Sequence, residues 1–117
     1  MKRLFLATLF FLLSPLAKAG EVSPKEFWQI AKTPGAVIVD VRTAGEFNGG
    51  HLDTALNIPY DKIASLGNVV TEKTTPVLLY CRSGRRADVA ERTLRSMGYT
   101  NIFNGMSYTL LKTQNPE

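Results

Sequence analysis

The chain has 117 residues, a length suited to a single domain, and its 44% hydrophobic and 21% charged residues are typical of a globular protein. Its formal net charge is +4, but three of the 14 basic residues, Lys2, Arg3 and Lys18, lie in the first 19 positions, which contain no acid. Residues 20–117 therefore carry 11 basic and 10 acidic side chains, a net charge of +1. This balance implies no basic patch for nucleic acid or anionic lipid, and the basic cluster that remains is in residues 81–86.

The first residues have the pattern of a signal peptide. A basic Lys-Arg pair precedes the uncharged residues 4–13, and Ala17 and Ala19 supply a small-x-small cleavage pattern. Ten residues rise about 15 Å as a helix, which is half the hydrocarbon thickness of a bilayer, about 30 Å. We expect residues 1–19 to be cleaved, with export to the periplasm and no stable membrane association afterwards. An uncleaved anchor or a buried first helix is the alternative.

A helix and then a buried strand are predicted to follow the leader. Ser23, Pro24 and Glu26 provide an N-cap, a proline at the first helical position and the glutamate of a capping box. Residues 36–41, apolar apart from one aspartate, are typical of a strand covered on both faces, as in a parallel sheet. Trp28 adjoins the apolar face of the helix and is interpreted as a packing residue.

A second buried strand leads to the only cysteine. The apolar residues 77–80 predict this strand, and apolar side chains at helical spacing predict a helix over 86–97. Cys81 therefore begins a loop, 81–86, that lies between the end of a strand and the start of a helix.

The loop around Cys81 favours an ionised, nucleophilic sulfur. Amides at a helix start have no intrahelical partner, and the helix dipole adds positive charge there. Arg82, Arg85 and Arg86 add more positive charge, and Gly84 allows a tight turn whose amides converge on one point. We expect Cys81 to be ionised near neutral pH, exposed and nucleophilic. The alternative is an inert core cysteine.

The remaining elements continue the alternation of strands and helices. Short strands are predicted at 55–58 and 102–104, short helices at 60–66 and 108–111, and a helix stop at Gly98. The alternation predicts an α/β domain with a small, mostly parallel sheet and helices on both faces. Ligands of such sheets bind beyond the carboxyl ends of the strands, which is where Cys81 lies.

Three separate motifs together resemble a known family. Residues 81–86 (Cys-Arg-Ser-Gly-Arg-Arg), 40–52 (Asp-Val-Arg-Thr-Ala-Gly-Glu-Phe-Asn-Gly-Gly-His-Leu) and 57–59 (Asn-Ile-Pro) resemble the rhodanese-like domain of the sulfurtransferases in order and spacing. The resemblance covers nearly all of residues 20–117, which we expect to form one rhodanese domain with the rhodanese-like α/β fold. It implies a single-domain thiosulfate sulfurtransferase.

This resemblance implies a two-step transfer of sulfur. The Cys81 thiolate attacks the outer sulfur of thiosulfate, and the resulting persulfide passes that sulfur to cyanide or a thiol acceptor, with no metal and no organic cofactor. The substrate-binding residues that the resemblance implies are Arg82, Ser83, Gly84, Arg85 and Arg86. Loop position alone does not decide whether Arg82 faces the pocket. We expect a monomer that binds small molecules and no nucleic acid.

Residues near the first strand are expected to support the site. Arg42 and Glu46 are predicted to form an ion pair, and Asp40 is predicted to be held by loop amides. The resemblance implies a structural role for all three, while an acid/base pair of Asp40 and Glu46 is an alternative. His51, the only histidine, is expected to order the Gly49-Gly50 loop, and a role as catalytic base is its alternative. One histidine and one cysteine do not make a metal site.

The chain departs from the family pattern in two places. Residues 53–56 lack the glycine that usually precedes Asn-Ile-Pro. Asn104, Gly105 and Tyr108 stand in a segment where the family often has a Gly-Gly pair and a tryptophan. Because this segment borders the expected pocket, the resemblance identifies the preferred sulfur acceptor less firmly than it identifies Cys81 as the nucleophile.

Two other functions would use similar residues. A cysteine-dependent phosphatase needs Cys-x5-Arg, but the position six residues after Cys81 is Ala87, and Arg86 gives only Cys-x4-Arg. The shorter loop makes a smaller cradle, better suited to a sulfur carried on cysteine than to a phosphoryl group. A persulfide carrier or interaction module without turnover would have much the same sequence. Thiocyanate formation from thiosulfate and cyanide distinguishes the enzyme from the carrier.

Overall fold

A computed structural model describes residues 20–116, so the predicted signal peptide lies outside the described residues. Strands and helices alternate as predicted: α1 Pro24–Ala31, β1 Val37–Asp40, α2 Ala44–Asn48, β2 Leu56–Asn57, a 3₁₀ helix Tyr60–Asn68, β3 Val77–Cys81, α3 Arg85–Ser96, β4 Ile102–Ser107 and α4 Tyr108–Thr113. No helix in this range has the length and apolar character needed to cross a membrane.

The four strands form one parallel sheet in the order β2-β1-β3-β4. β1 and β3 pair at its centre, from Val37 opposite Val77 to Asp40 opposite Tyr80. The prediction of a mostly parallel sheet is confirmed. The carboxyl ends of β1 and β3 lie side by side, and Cys81 is the last residue of β3 at that edge.

Alternate strand residues face two separate cores. One core contains Val39, Val41, Val77, Leu79 and Cys81, with the 3₁₀ helix and α3. The other contains Ile38, Leu78 and Tyr80, with Phe27 of α1 and Leu111 of α4. This period of two is the side-chain alternation of a strand. Helices therefore cover both faces of the sheet, as predicted.

Helix ends follow the local sequence signals. Ser23 caps α1 in a complete capping box with Glu26, whose side chain accepts the Ser23 amide at 2.8 Å. Gly98, with a φ of +102°, ends α3 in the left-handed conformation that favours glycine. Trp28 packs in the second core and donates to the carbonyl of Leu111 at 3.0 Å, in agreement with its predicted packing role.

Several elements differ in type or extent from the sequence prediction. The predicted helix at 60–66 is a 3₁₀ helix that continues to Asn68 across a kink at Lys62. The predicted strand at 102–104 continues to Ser107, past a register shift against β3. The short helix α2 was not predicted, although Thr43 and Glu46 have capping-box spacing. The extension of β4 follows from its pairing with β3, which supplies backbone hydrogen-bond partners that the local sequence of β4 does not reveal.

Gly105→Ala should destabilise the fold by overpacking. A Cβ at Gly105 would lie 2.4 Å from Cδ1 of Phe27 and 3.1 Å from Cδ1 of Leu111, and both side chains are fully buried. Overpacking of this kind costs about 1–3 kcal/mol, so the urea midpoint should fall. The matched control is Gly45→Ala in α2, where a Cβ meets nothing within 4 Å and the midpoint should stay or rise. Equal midpoints for Gly105→Ala and wild type would contradict this packing.

Candidate active site

The sulfur of Cys81 lies inside the domain. β3 continues through Cys81, so strand alternation directs its side chain into the same core as Val77 and Leu79. The residue is 1% exposed. The prediction that Cys81 is exposed is therefore wrong: the strand extends one residue further than expected and turns the sulfur inward.

The amide of Gly84 donates a hydrogen bond to this sulfur. Gly84 N lies 2.9 Å from Cys81 Sγ. Gly84 is the N-cap of α3 and has a φ of +101°, a conformation that L side chains rarely adopt. The predicted tight turn at Gly84 is therefore present, and the amide of Gly84 is the donor that it directs at the sulfur; the convergence of further loop amides stays a prediction. A sulfur that carries negative charge needs such a donor when it is removed from water.

Asn104 braces the same glycine from β4. Its side-chain amide donates to the carbonyl of Gly84 at 3.1 Å, and its Oδ1 accepts the amide of Met106 at 2.8 Å. Asn104 is 1% exposed, and Met106 packs so closely that a Cβ on Gly84 would lie 2.8 Å from its Sδ. No role was predicted for Asn104. The available signal was its departure from the family pattern in a segment expected to border the pocket.

The three arginines of the loop have different surroundings. Arg86 forms a two-point ion pair with Glu46, with Nη1 2.8 Å from Oε1 and Nη2 3.1 Å from Oε2. Arg82 and Arg85 are exposed and have no ion-pair partner within residues 20–116. Arg82 and Arg85 can therefore bind an incoming anion directly, whereas Arg86 can do so only in competition with Glu46.

Glu46 is fixed by its own helix as well as by Arg86. The amide of Thr43 donates to Glu46 Oε1 at 2.9 Å, completing the capping box of α2. The hydrogen bonds from Arg86, assisted by those from Thr43, lower the pKa of Glu46 to about 2. The bond to Glu46 in turn raises the pKa of Arg86. Both groups are therefore charged throughout the neutral range.

Arg42 pairs with Asp40 rather than with Glu46. Its Nη2 lies 2.6 Å from Asp40 Oδ2, its Nε lies 3.0 Å from Oδ1, and Asp40 is fully buried. The hydrogen bond to Asp40 raises the pKa of Arg42. The predicted Arg42–Glu46 pair is wrong, because Glu46 is held by Arg86. Loop amides were also predicted to hold Asp40. One such bond is present, from the Arg42 amide to Asp40 Oδ1 at 2.9 Å.

The same arginine joins the loop after α2 to α4. Arg42 Nη2 donates to the carbonyl of Gly50 at 2.7 Å. Its guanidinium carbon lies 4.3 Å from the ring centre of Tyr108 and 5.6 Å from that of Tyr80. Burial raises the pKa of Tyr80, whose hydroxyl accepts the amide of Leu52 at 3.0 Å. Arg42 thus holds a wall of the site together and carries no free charge into it.

His51 contacts Phe47 at the surface of the domain. Its Nδ1 lies 2.8 Å from the Phe47 carbonyl, and the two rings stack with centroids 3.6 Å apart. These contacts agree with the predicted role in ordering the loop after α2, and that role stays a prediction. Among residues 20–116, no three His, Cys, Asp or Glu side chains lie close enough together to hold a metal ion.

Two pockets meet at Arg82. The arginine pocket, about 670 Å³, is lined by Tyr60, Arg82, Ser83, Arg85, Arg86 and Val89. The glycine pocket, about 430 Å³, is lined by Arg82 and Arg42 together with Gly45, Glu46, Gly49, Gly50, Tyr108 and Thr109. The arginine pocket brings together four of the five predicted substrate-binding residues. The fifth, Gly84, is buried and bonds to the cysteine instead. Arg82, whose direction the sequence left open, lines both pockets.

The chain belongs to the rhodanese-like domain family, whose model matches residues 23–105. The Bacillus subtilis protein YqhL is 43% identical over 70 residues, which cover 59% of this chain and 54% of YqhL. A candidate mitochondrial thiosulfate sulfurtransferase of Schizosaccharomyces pombe is 28% identical over 120 residues, covering 89% of this chain and 84% of that protein. YrkF, a candidate sulfur carrier protein of Bacillus subtilis, is 28% identical over 85 residues, with coverages of 72% and 45%. The chain thus spans about half the length of YqhL and of YrkF.

Two solved structures are similar in fold. The human single-domain sulfurtransferase TSTD1 aligns with a TM-score of 0.69 and 25% identity, covering 83% of this chain and 98% of that one. A rhodanese with anions from Escherichia coli aligns with a TM-score of 0.62 and 29% identity, with coverages of 64% and 89%. The rhodanese-like α/β fold implied by the sequence motifs is therefore confirmed.

Glu46→Gln should lower stability in a pH-dependent way. The pKa of Glu46 falls from its ordinary 4.5 to about 2 on folding, so its charge stabilises the folded state above about pH 4.5, and this stabilisation is lost as pH falls towards 2. The difference in unfolding free energy between wild type and Glu46→Gln should therefore be larger at about pH 7 than at about pH 3 in urea titrations. Asp88→Asn, which breaks the exposed Asp88–Arg92 pair, is the control with little expected effect. A difference that stays constant across this pH range would contradict the lowered pKa.

Proposed function

We propose that this protein is a thiosulfate sulfurtransferase that carries sulfur on Cys81. One observation carries the proposal: the Gly84 amide lies 2.9 Å from the cysteine sulfur at the carboxyl edge of a parallel sheet. Two arginines beside it, Arg82 and Arg85, lack carboxylate partners within the described range. The relative from Schizosaccharomyces pombe and the Escherichia coli rhodanese with anions support sulfur transfer from an anionic donor.

In the first half-reaction the enzyme takes up sulfur. The Cys81 thiolate attacks the outer sulfur of thiosulfate, the bond between the two thiosulfate sulfurs breaks, and its electron pair leaves on sulfite. A Cys81 persulfide anion remains, so the total charge is the same before and after. Arg82 and Arg85 offset the charge of the donor and of the departing sulfite. Because Cys81 is enclosed, the donor must reach it past the exposed loop residues Arg82 and Ser83.

In the second half-reaction the persulfide gives up its outer sulfur. Cyanide or a thiolate attacks that sulfur, and the electron pair of the broken sulfur–sulfur bond returns to Cys81 as a thiolate. The products are thiocyanate or the persulfide of the acceptor, and atoms and charge again balance. Neither half-reaction calls for a metal or an organic cofactor.

A persulfide carrier without turnover is the second candidate function. The similarity to YrkF, a candidate sulfur carrier, favours it. Such a carrier would take sulfur from thiosulfate or from a partner protein and would transfer it slowly to small acceptors. A phosphatase has less support, because Ala87, at the position of the arginine that it requires, is fully buried in the core.

We further propose that the protein is exported and acts as a monomeric single domain, residues 20–117. In this it resembles the periplasmic thiosulfate sulfurtransferase called phage-shock protein E. The support is the sequence of residues 1–19, with its basic start, its uncharged run and its cleavage pattern.

Thiosulfate should add one sulfur atom to the wild-type protein. The expected gain in intact mass is about 32 Da, and Cys81→Ser should show none because it lacks the nucleophile. Cyanide should then restore the original mass and release thiocyanate. Wild type that gains no mass would contradict the enzyme and a carrier that is loaded by thiosulfate. Rapid loading with negligible transfer to cyanide and to thiols would favour the carrier.

The full chain, expressed in a Gram-negative host, should be recovered from the periplasm as a protein that begins at Gly20. The reason is the cleavage pattern that ends at Ala19. Intact mass of the periplasmic fraction gives the processing site. Ala19→Leu should block cleavage and leave the full-length chain at the membrane. Full-length wild-type protein in the cytosol would count against export.

A further inference from the structure

The two pockets that meet at Arg82 differ in charge. The arginine pocket is lined by three guanidinium groups and by no carboxylate. In the glycine pocket, Arg42 is neutralised by Asp40 and Glu46 is neutralised by Arg86. Arg82 is therefore the only unpaired charge among the residues that line the glycine pocket.

One ion pair has a member in each pocket. Arg86 lines the arginine pocket, and its partner Glu46 lines the glycine pocket. Arg86 belongs to the first turn of α3, while Thr43 holds Glu46 in the capping box of α2. An anion in the arginine pocket can therefore bind Arg86 only in competition with Glu46.

The glycine pocket has room for a small organic molecule. A Cβ at Gly45 would meet nothing within 4 Å, so the space beside α2 is open. Tyr108, which also lines the pocket, comes so close to Gly50 that a Cβ on Gly50 would lie 2.9 Å from its hydroxyl. The pocket thus combines open backbone, an aromatic ring and one unpaired cationic side chain within about 430 Å³, a volume typical of small-ligand sites.

We propose that donor and acceptor use different pockets: thiosulfate binds in the arginine pocket, and a small thiol bearing a carboxylate binds in the glycine pocket. The thiol's carboxylate pairs with Arg82, and its carbon chain packs against Tyr108. This assignment rests on the proposed sulfurtransferase function. Thiosulfate, a dianion, is favoured in the arginine pocket because three guanidinium groups line it, whereas the single unpaired arginine of the glycine pocket matches the one carboxylate of the acceptor.

Chemically, the acceptor's thiolate attacks the outer sulfur of the Cys81 persulfide from the side of the glycine pocket. The bond between that outer sulfur and Sγ breaks, its electron pair returns to Cys81 as a thiolate, and the acceptor leaves as a persulfide. No external oxidant or reductant enters the step. Arg82, which lines both pockets, meets the sulfite in the first half-reaction and the acceptor's carboxylate in the second.

Variants that fill one pocket test this assignment. Gly45→Leu and Thr109→Trp narrow the glycine pocket, and Arg85→Gln weakens the arginine pocket. Loading is measured as the rate of mass gain with thiosulfate. Transfer is measured from the loaded protein to 3-mercaptopropionate and to cyanide. Circular dichroism and the melting temperature show that each variant is folded.

We expect the two glycine-pocket variants to slow transfer to 3-mercaptopropionate by about tenfold while loading stays at the wild-type rate. Cyanide has two atoms and needs no organic pocket, so transfer to cyanide should be unchanged in these variants. Arg85→Gln should slow loading by about tenfold and leave transfer from the loaded protein unchanged. If each variant slows loading and transfer in the same proportion, one pocket serves both molecules and the assignment is overturned.

The carboxylate contact is tested separately on protein already loaded with sulfur. For each thiol, the transfer rate from folded loaded protein is divided by the transfer rate from loaded protein unfolded in urea. This normalised rate should be higher for 3-mercaptopropionate than for the neutral 2-mercaptoethanol in wild type. Arg82→Gln should abolish this preference. Equal normalised rates in wild type, or transfer insensitive to both glycine-pocket variants, would place the acceptor elsewhere. Wild type that does not load at all would instead refute the proposed function.

Discussion

The hydrogen bond from the Gly84 amide to the sulfur of Cys81 is the contact on which the site depends. It closes the turn between β3 and α3, and it requires a residue with the positive φ of Gly84. Two side chains of β4 hold the turn in place: Asn104 donates to the Gly84 carbonyl, and Met106 occupies the space where a Cβ on Gly84 would lie. Any side chain at position 84 would clash with Met106. The position of the sulfur therefore depends on a glycine at 84 and on the packing of β4 beside the turn.

Two ion pairs divide the arginines into structural and binding groups. Asp40 and Arg42, both buried, tie the end of β1 to the Gly50 loop and to α4. The Glu46–Arg86 pair, about a quarter exposed, joins α2 to the first turn of α3 beside the cysteine. Since each of these arginines has a carboxylate partner, the positive charge left to attract an anion is concentrated on two exposed side chains of the loop. This favours a reaction in which anions enter and leave at one edge of the sheet.

Local signals predicted the elements, but contacts between distant residues decided the site. Capping residues, apolar runs and Gly98 were enough to place α1, β1, β3 and α3, because each signal acts within a few residues. The partner of Glu46 lies 40 positions away, in α3, so no local spacing could distinguish it from the nearer Arg42. The brace from Asn104 spans 20 positions and depends on β4 pairing beside β3.

The burial of Cys81 was missed for a related reason. Three arginines within five positions indicate an exposed loop, and Arg82 and Arg85 are indeed exposed. The cysteine itself, however, is the last residue of β3, and its side chain follows the strand's alternation into the core. A reactive sulfur here must therefore be reached through the loop and its cationic side chains.

The central claim is that Cys81 is a reactive, anionic sulfur reached through a cationic loop. The rates at which iodoacetate and iodoacetamide alkylate the folded protein test this claim most directly. The two reagents are similar in size and differ in charge, and intact mass before and after Cys81→Ser identifies the modified residue. Each rate is divided by the rate of the same reagent with the urea-unfolded chain, because the two reagents differ in intrinsic reactivity. An anionic sulfur reached through a cationic loop predicts a larger ratio for iodoacetate than for iodoacetamide, and added salt should reduce this difference. If neither reagent modifies the folded protein while both modify the unfolded chain, Cys81 is an inert core residue and the claim is wrong.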